Sequence, residues 1–342
     1  MQVKMICASH TPLMDHVEAD PAVDREVRTH FAALAAEVRD FDPELVVIFG
    51  PDHFKGMFYD MMPPFTVGVR ATAIGDYDIG SGDFDVPERL ALDCVSAVRS
   101  EDIDVALSYR MQADHGFAQL LVLLTGRVDS YRVLPIHINC SGPPLPSFRR
   151  VEALGAAVGR WAAGLNSRVL ILGSGGLSHD PPIPRIDTAP PAVVEMLIAG
   201  RNPPLEARRA REQANFETAR KLARGEGKAT PLNAEWDRAF MAQMEAGDQK
   251  TVGTMSEADL TRLAGCGGHE VRTWVAAYAA MNAIGPHKPR HIYYHDIPQW
   301  NAGMGIAAAD FARPLEHDPE KWDPVFPRDK RNAFARRSCP NK

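Results

Sequence analysis

Four histidines stand just past short apolar runs of the chain. His10 follows KMICAS, His53 follows VVIFGPD, His115 lies in MQADHGFAQ a few residues beyond VALSYR, and His179 follows VLILGSGGLS. Such runs read as buried strands, and in open α/β sheets ligands bind outside the carboxyl ends of the strands. One histidine in that place is explained by one structural hydrogen bond. Four of them, each bounded by Gly, Pro or Ser, describe a site. Neutral imidazoles without cysteine suit Fe, Zn, Cu or Mn, and the iron of an oxygenase usually takes a carboxylate as well.

The carboxylate best placed to join them is Glu270, in AGCGGHEVRTWVAAYAAM. Gly267-Gly268 break the chain, and the spacing predicts a helix from about His269. Trp274, Ala277, Tyr278 and Met281 follow at helical intervals, so Glu270 falls on the apolar stripe of the first turn. A buried carboxylate needs a metal or hydrogen-bond donors around it. Interaction with the helix dipole would explain a first-turn Glu, but not its apolar companions. Asp52 and Asp114 each precede a site histidine and read equally as turn or capping residues. His137, His269 and His295 are candidates for supporting positions. His16, His30, His287, His291 and His317 read as surface residues.

Placing these groups together requires an α/β framework. Strand-like runs occur at 2–8, 44–50, 65–70, 104–110, 131–139, 167–175 and 290–297. Helical periodicity appears around 22–40, 86–99, 116–126, 149–164, 204–224, 234–246, 256–264 and 269–283. The alternation predicts a single α/β domain, its mixed or largely parallel central sheet flanked by helices on both faces. Residues 204–229 form a highly charged pattern, expected to be a solvated surface helix. From 311 to 342 the chain is rich in proline and charge and is expected to be a polar tail beyond a catalytic domain of residues 1–310.

Composition removes several classes of function. A net charge of −6 with mixed signs argues against a nucleic-acid binder. No apolar run approaches the roughly 20 residues of a membrane span, and no signal-peptide pattern opens the chain. The 5 cysteines are scattered and never form CxxC, which fits reduced thiols in the cytoplasm. GSGGLSH fails the dinucleotide fingerprint at Ser178, and GxxxxGK[ST], HExxH and GxSxG are absent. The glycines of GSGGLSH more plainly let the backbone approach a ligand closely beside His179.

SHTP at 9–12, PDHF at 51–54, MMPPF at 61–65, DHGFAQ at 114–119, GSGGLSHDPP at 173–182 and HEVRTWVAA at 269–277 together resemble the type II extradiol ring-cleavage dioxygenases. This is the superfamily of the protocatechuate 4,5-dioxygenase β subunit. The resemblance runs to about residue 308. It implies that His10, His53 and Glu270 hold Fe(II), that His115 is a proton donor and that His179 is a proton acceptor. It also implies a catechol-type substrate cleaved by dioxygen, best matched by 3-(2,3-dihydroxyphenyl)propionate and similar 3-substituted catechols, in a cytoplasmic homo-oligomer. Another catechol, an aminophenol or protocatechuate is the alternative substrate, and a metal hydrolase on the same scaffold the alternative reaction. Two imidazoles and one carboxylate leave open positions where catechol and dioxygen can meet, while histidine, with a pKa of ~6.5, suits the proton transfers.

Overall fold

The computed structural model describes residues 2–227, 229–248 and 253–312. In chain order the strands are β1 (Gln2–Ala8), β2 (Leu45–Gly50), β3 (Phe65–Gly68), β4 (Ala71–Ile74), β5 (Ser81–Asp83) and β6 (Ala106–Ser108). They continue with β7 (Met111–Ala113), β8 (Val133–Ile138), β9 (Arg168–Ser174), β10 (Lys288–Ile297) and β11 (Ala302–Ala312). The α-helices are α1 (Pro21–Phe41), α2 (Glu88–Arg99), α3 (His115–Thr125), α4 (Phe148–Ala163) and α5 (Pro191–Ala199). After them come α6 (Leu205–Ala223), α7 (Ala234–Glu245), α8 (Glu257–Ala264) and α9 (Val271–Ile284).

Eight strands form one sheet in the order β10-β11-β1-β9-β2-β8-β3-β6. Its centre, β1-β9-β2-β8, is parallel. β11 runs antiparallel to β1 on one flank and β3 antiparallel to β8 on the other, which makes the sheet mixed. The central strands are apolar on both faces because both faces are covered. Val3, Met5, Cys7, Val47, Phe49 and Ile171 point to a core closed by α2, α4 and α9. Their alternates Ile6, Ala8, Val46, Ile48, Leu170 and Leu172 point to a core closed by α1 and α3. Among the described residues, no helix is long and apolar enough to cross a membrane. Cys7, Cys94, Cys140 and Cys266 are free thiols.

The structure differs from the sequence reading in four places. The run expected as one strand at 104–110 stops at Ser108, and a separate short strand, β7, leads into His115. β7 belongs to a second sheet, ordered β5-β4-β7, so His115 enters from a different layer than the other histidines. The charged segment at 204–229 is not simply a solvated helix. α6 buries Phe216 and Ala219 against the 3-10 segments at 76–78 and 298–300. His16, expected at the surface, is half-buried, stacked on Phe216 at 4.4 Å, with its Nε2 3.0 Å from the Tyr77 carbonyl oxygen. The chain also stays in the sheet through β11 to Ala312, two residues past the expected end of the catalytic domain at 310. The remainder of that tail, with His317, lies outside the described residues.

One helix pair fixes where Glu270 can stand. α4 lies so close on α9 that a methyl group on Gly155 or Gly159 would run into the carbonyl oxygens of Ala276 or Ala280. Overfilling such a contact costs about 1–3 kcal/mol, because backbone cannot rotate out of the way. Gly159→Ala is therefore expected to lower the urea midpoint by the equivalent of about 1–3 kcal/mol. An unchanged midpoint would show that the helices are not in this close contact.

Candidate active site

His10 lies two residues past β1 and His53 three past β2, at the carboxyl edge of the sheet. β9 runs between these strands and ends at Ser174, whose Oγ is 3.1 Å from His10 Nδ1. His179 hangs from the loop after β9. Glu270 closes the group from the 3-10 turn Gly267–Glu270 that starts α9. Its Oε1 lies 3.0 Å from His53 Nε2 and 3.2 Å from His179 Nε2, and its Oε2 faces His10 Nε2 at 3.7 Å. The backbone N–H of Gly176 donates to Oε2 at 2.8 Å. His115 packs edge-on to His10 with ring centres 5.5 Å apart and stacks on His53 at 4.4 Å. All five residues singled out in the sequence thus meet at one point.

Three of the histidines present the same nitrogen inward, and for the same reason. His53 Nδ1 donates to Asp114 Oδ2 at 2.9 Å, and His115 Nδ1 to Asp76 Oδ2 at 2.7 Å. His179 Nδ1 lies 3.1 Å from the carbonyl oxygen of Leu177, which can only accept. With the proton held at Nδ1, the bare nitrogen of each neutral ring is Nε2. The two aspartates also take the backbone N–H of the histidine they hold, at 2.8 Å for His53 and 2.9 Å for His115. Asp114 further accepts from Gly116 N as the N-cap of α3, so its capping reading and its supporting reading are both true. Asp52 is a turn residue, accepting from the N–H groups of Gly56 and Met57.

Asp76, Ser174 and Tyr77 were not visible in the sequence as site residues. Asp76 lies 39 positions from His115, and no spacing rule links them. Conversely, His269 binds Thr261 and Arg272, and His295 binds the carbonyl oxygen of Asp296, so neither supports a site residue. His137 is buried in β8 with its Nδ1 unpartnered among the described residues. The glycines of GSGGLSH admit neighbours from the protein itself: a side chain on Gly176 would strike the His179 ring, and one on Gly175 the Glu270 backbone.

Electrostatics separate the roles further. Burial pushes His10 down to about 3, so its imidazole is neutral. Burial opposes charge on Glu270 too, but His179 and His10, with hydrogen bonds from His179 and His53, hold it well below the usual carboxylate range. His53 is buried as well, yet Asp114 and Glu270 on either side raise it well above the ordinary histidine value. The gap between His53 Nε2 and the Glu270 carboxylate is where a cation would satisfy both groups. The donor atoms of His10, His53 and His115 also lie within 4.8 Å of one another, as do those of Asp76, Asp114 and His115. The donor set fits a metal: neutral imidazole nitrogens and one ionised carboxylate converge in a buried space. A cavity of about 420 Å³ opens from these histidines, with apolar walls that include Pro181, Met196, Leu197, Leu222 and Trp300.

Residues 4–305 match the family described as the catalytic LigB subunit of aromatic ring-opening dioxygenase. The chain belongs to this family. It is an extradiol ring-cleaving dioxygenase, and LigB dioxygenases are metal-dependent. It is 49% identical over 309 residues to a 2,3-dihydroxyphenylpropionate/2,3-dihydroxicinnamic acid 1,2-dioxygenase of Photorhabdus laumondii, covering 90% of this chain and 98% of that one. Proteins of the same name from Paraburkholderia xenovorans and Cupriavidus pinatubonensis are 49% and 47% identical, over 92% and 91% of this chain and 99% of each relative. The crystal structure of the uncharacterized protein JW3007 from Escherichia coli K12 shares the fold, with a TM-score of 0.50 at 14% identity over 89% of this chain and 98% of that one.

Partners behind ligating histidines typically contribute ten- to hundredfold to metal affinity. Asp114→Asn keeps a good helix cap but loses the charge behind His53. It is expected to weaken metal retention against a competing chelator by about 10–100-fold. Wild-type retention would show that His53 is not held for a metal.

Proposed function

We propose that the enzyme holds Fe(II) between His10, His53 and Glu270 and opens the ring of 3-(2,3-dihydroxyphenyl)propionate and similar 3-substituted catechols by extradiol cleavage. Both atoms of dioxygen enter a 2-hydroxy-6-oxononadienedioate-type product. The observation that carries the reading is the buried Glu270 carboxylate, faced by three imidazoles at 3.0–3.7 Å and reached from an apolar cavity. The names of the relatives support the substrate.

Ferrous iron, when held there, supplies the electron transfer between catechol and dioxygen that closed-shell organic molecules resist. The chain supplies position and protons. His179 presents Nε2 toward Glu270, whose negative charge works against burial to raise the imidazole pKa. With Nδ1–H on the Leu177 carbonyl oxygen, the neutral ring offers Nε2 as the atom that accepts a proton from a catechol hydroxyl. His115 keeps Nδ1–H on Asp76 and delivers a proton from Nε2 to oxygen as the ring opens. Its ring stacks on His53 at 4.4 Å, which keeps it beside the proposed ligands. The apolar walls exclude water, which strengthens each of these charge interactions. We place this chemistry in cytoplasmic aromatic catabolism, in a homo-oligomer, on the resemblance and the free thiols.

Anaerobic loading with Fe(II), then substrate in air-saturated buffer, is expected to give iron-dependent uptake of one dioxygen per substrate and a yellow product. No uptake with any catechol at full iron occupancy would overturn the proposal. His115→Gln and His179→Gln are each expected to keep iron and lose about 10²–10⁴-fold in kcat. His10→Ala, His53→Ala and Glu270→Ala are expected to lose the iron itself, and full occupancy by elemental analysis would contradict the ligand set.

A further inference from the structure

The cavity is lined by two cations and no carboxylate among its described lining residues. Lys55 follows the His53 loop, and Arg211 projects from α6. The other arginines nearby are already engaged: Arg201 with Asp60, Arg185 with Asp187, Arg220 with Glu217, and Arg208 with Glu212 and the Ile74 carbonyl oxygen. Arg211 has neither a hydrogen-bond nor an ion-pair partner among the described residues. The Lys55 ammonium has no carboxylate partner among the described residues and lies 5.7 Å from the centre of the Tyr77 ring. Both cations also border a smaller adjoining cavity of about 150 Å³, itself without an acidic lining residue. In a chain of net charge −6, a pocket whose only fixed charges on the walls are positive selects anions.

Position fits a particular anion. The Tyr77 ring stands edge-on to His115 with centres 5.0 Å apart, and the Lys55 ammonium lies 5.7 Å from the centre of the same ring. Lys55 and His115 thus both neighbour the Tyr77 ring on the wall of one cavity. A catechol with its hydroxyls at the histidines would carry its side chain into the rest of the cavity, whose walls present Lys55 and Arg211. Resting on the catechol reading above, we propose that Arg211 and Lys55 bind the side-chain carboxylate and make the enzyme selective for acid-bearing catechols. Arginine offers a planar pair of N–H donors that matches a carboxylate, and lysine adds a point charge. Neither touches the reacting ring, so the pair sets specificity rather than rate.

Iron-loaded wild type, Arg211→Met, Lys55→Met and Arg211→Lys would be compared on 3-(2,3-dihydroxyphenyl)propionate and on neutral 3-propylcatechol. Charge-assisted hydrogen bonds of this kind are worth about 1.5–3 kcal/mol, or roughly 10–100-fold. The ratio of kcat/KM for acid over neutral substrate is expected to fall by about that factor in each Met variant, mainly through KM, with partial recovery in Arg211→Lys. An unchanged ratio, or equal losses on both substrates, would overturn the proposal. Calorimetric titration with 3-phenylpropionate, which has the carboxylate but no ring hydroxyls to react, reads the pair without turnover. Binding weakened at least tenfold in the Met variants supports the clamp even if no catechol is opened, and equal binding rejects it even if ring opening is normal.

Discussion

A carboxylate 1% exposed to solvent, facing three imidazoles at the start of a helix, is the constraint around which this molecule is arranged. Burying that charge alone would cost several kcal/mol, and the protein offers it one backbone N–H and the edges of histidine rings. Proton sharing with His53 is one way to satisfy it. A divalent cation seated among the same atoms is a better one, because it answers the carboxylate and the lone pairs of the imidazoles together. The fold is specific about keeping Glu270 there. Gly155 and Gly159 allow α4 to press directly on the backbone of α9, while Gly175 lets the loop after β9 close over the Glu270 backbone.

The second layer of organisation is the fixing of protons. Asp114 and Asp76 each grip one histidine twice, at the ring and at its backbone N–H, so the carboxylate is fixed against the residue whose Nδ1 it orients. Asp237 braces the loop carrying His179, accepting from Ser178 N and Oγ and from the Tyr294 hydroxyl. Held this way, His53 and His115 present Nε2 to the site, and His179, with Nδ1 on the Leu177 carbonyl oxygen, does the same. Identical side chains then diverge by surroundings: burial keeps His10 neutral, whereas two flanking carboxylates favour charge on His53. One residue type takes different protonation preferences because its neighbours differ.

Much of this was legible in the chain. Apolar runs ending in Gly, Pro or Ser placed His10, His53 and His179 at the sheet edge, and helical spacing put Glu270 on a buried stripe. What stayed hidden depends on contacts between distant segments. Asp76 sits in a turn where Tyr77 and Asp78 take positive φ, and only the folded loop brings it to His115. β11, AGMGIAAADFA, has few of the β-branched residues that mark a strand; pairing with β1 and β10 makes it one. α6 looked solvated because charged residues dominate it, yet Phe216 and Ala219, three apart, suffice to anchor one face. Its role as a cavity wall could not be read from its own residues.

The account turns on which side chains hold the metal, since His115 lies as close to His10 and His53 as a third ligand would. An anaerobic crystal structure of the iron-loaded protein, with anomalous data at the iron edge, tests this directly. The account predicts iron bound by Nε2 of His10, Nε2 of His53 and an Oε of Glu270, with His115 and His179 beside it but unbound. Iron ligated by His115 while Glu270 stands off would contradict it.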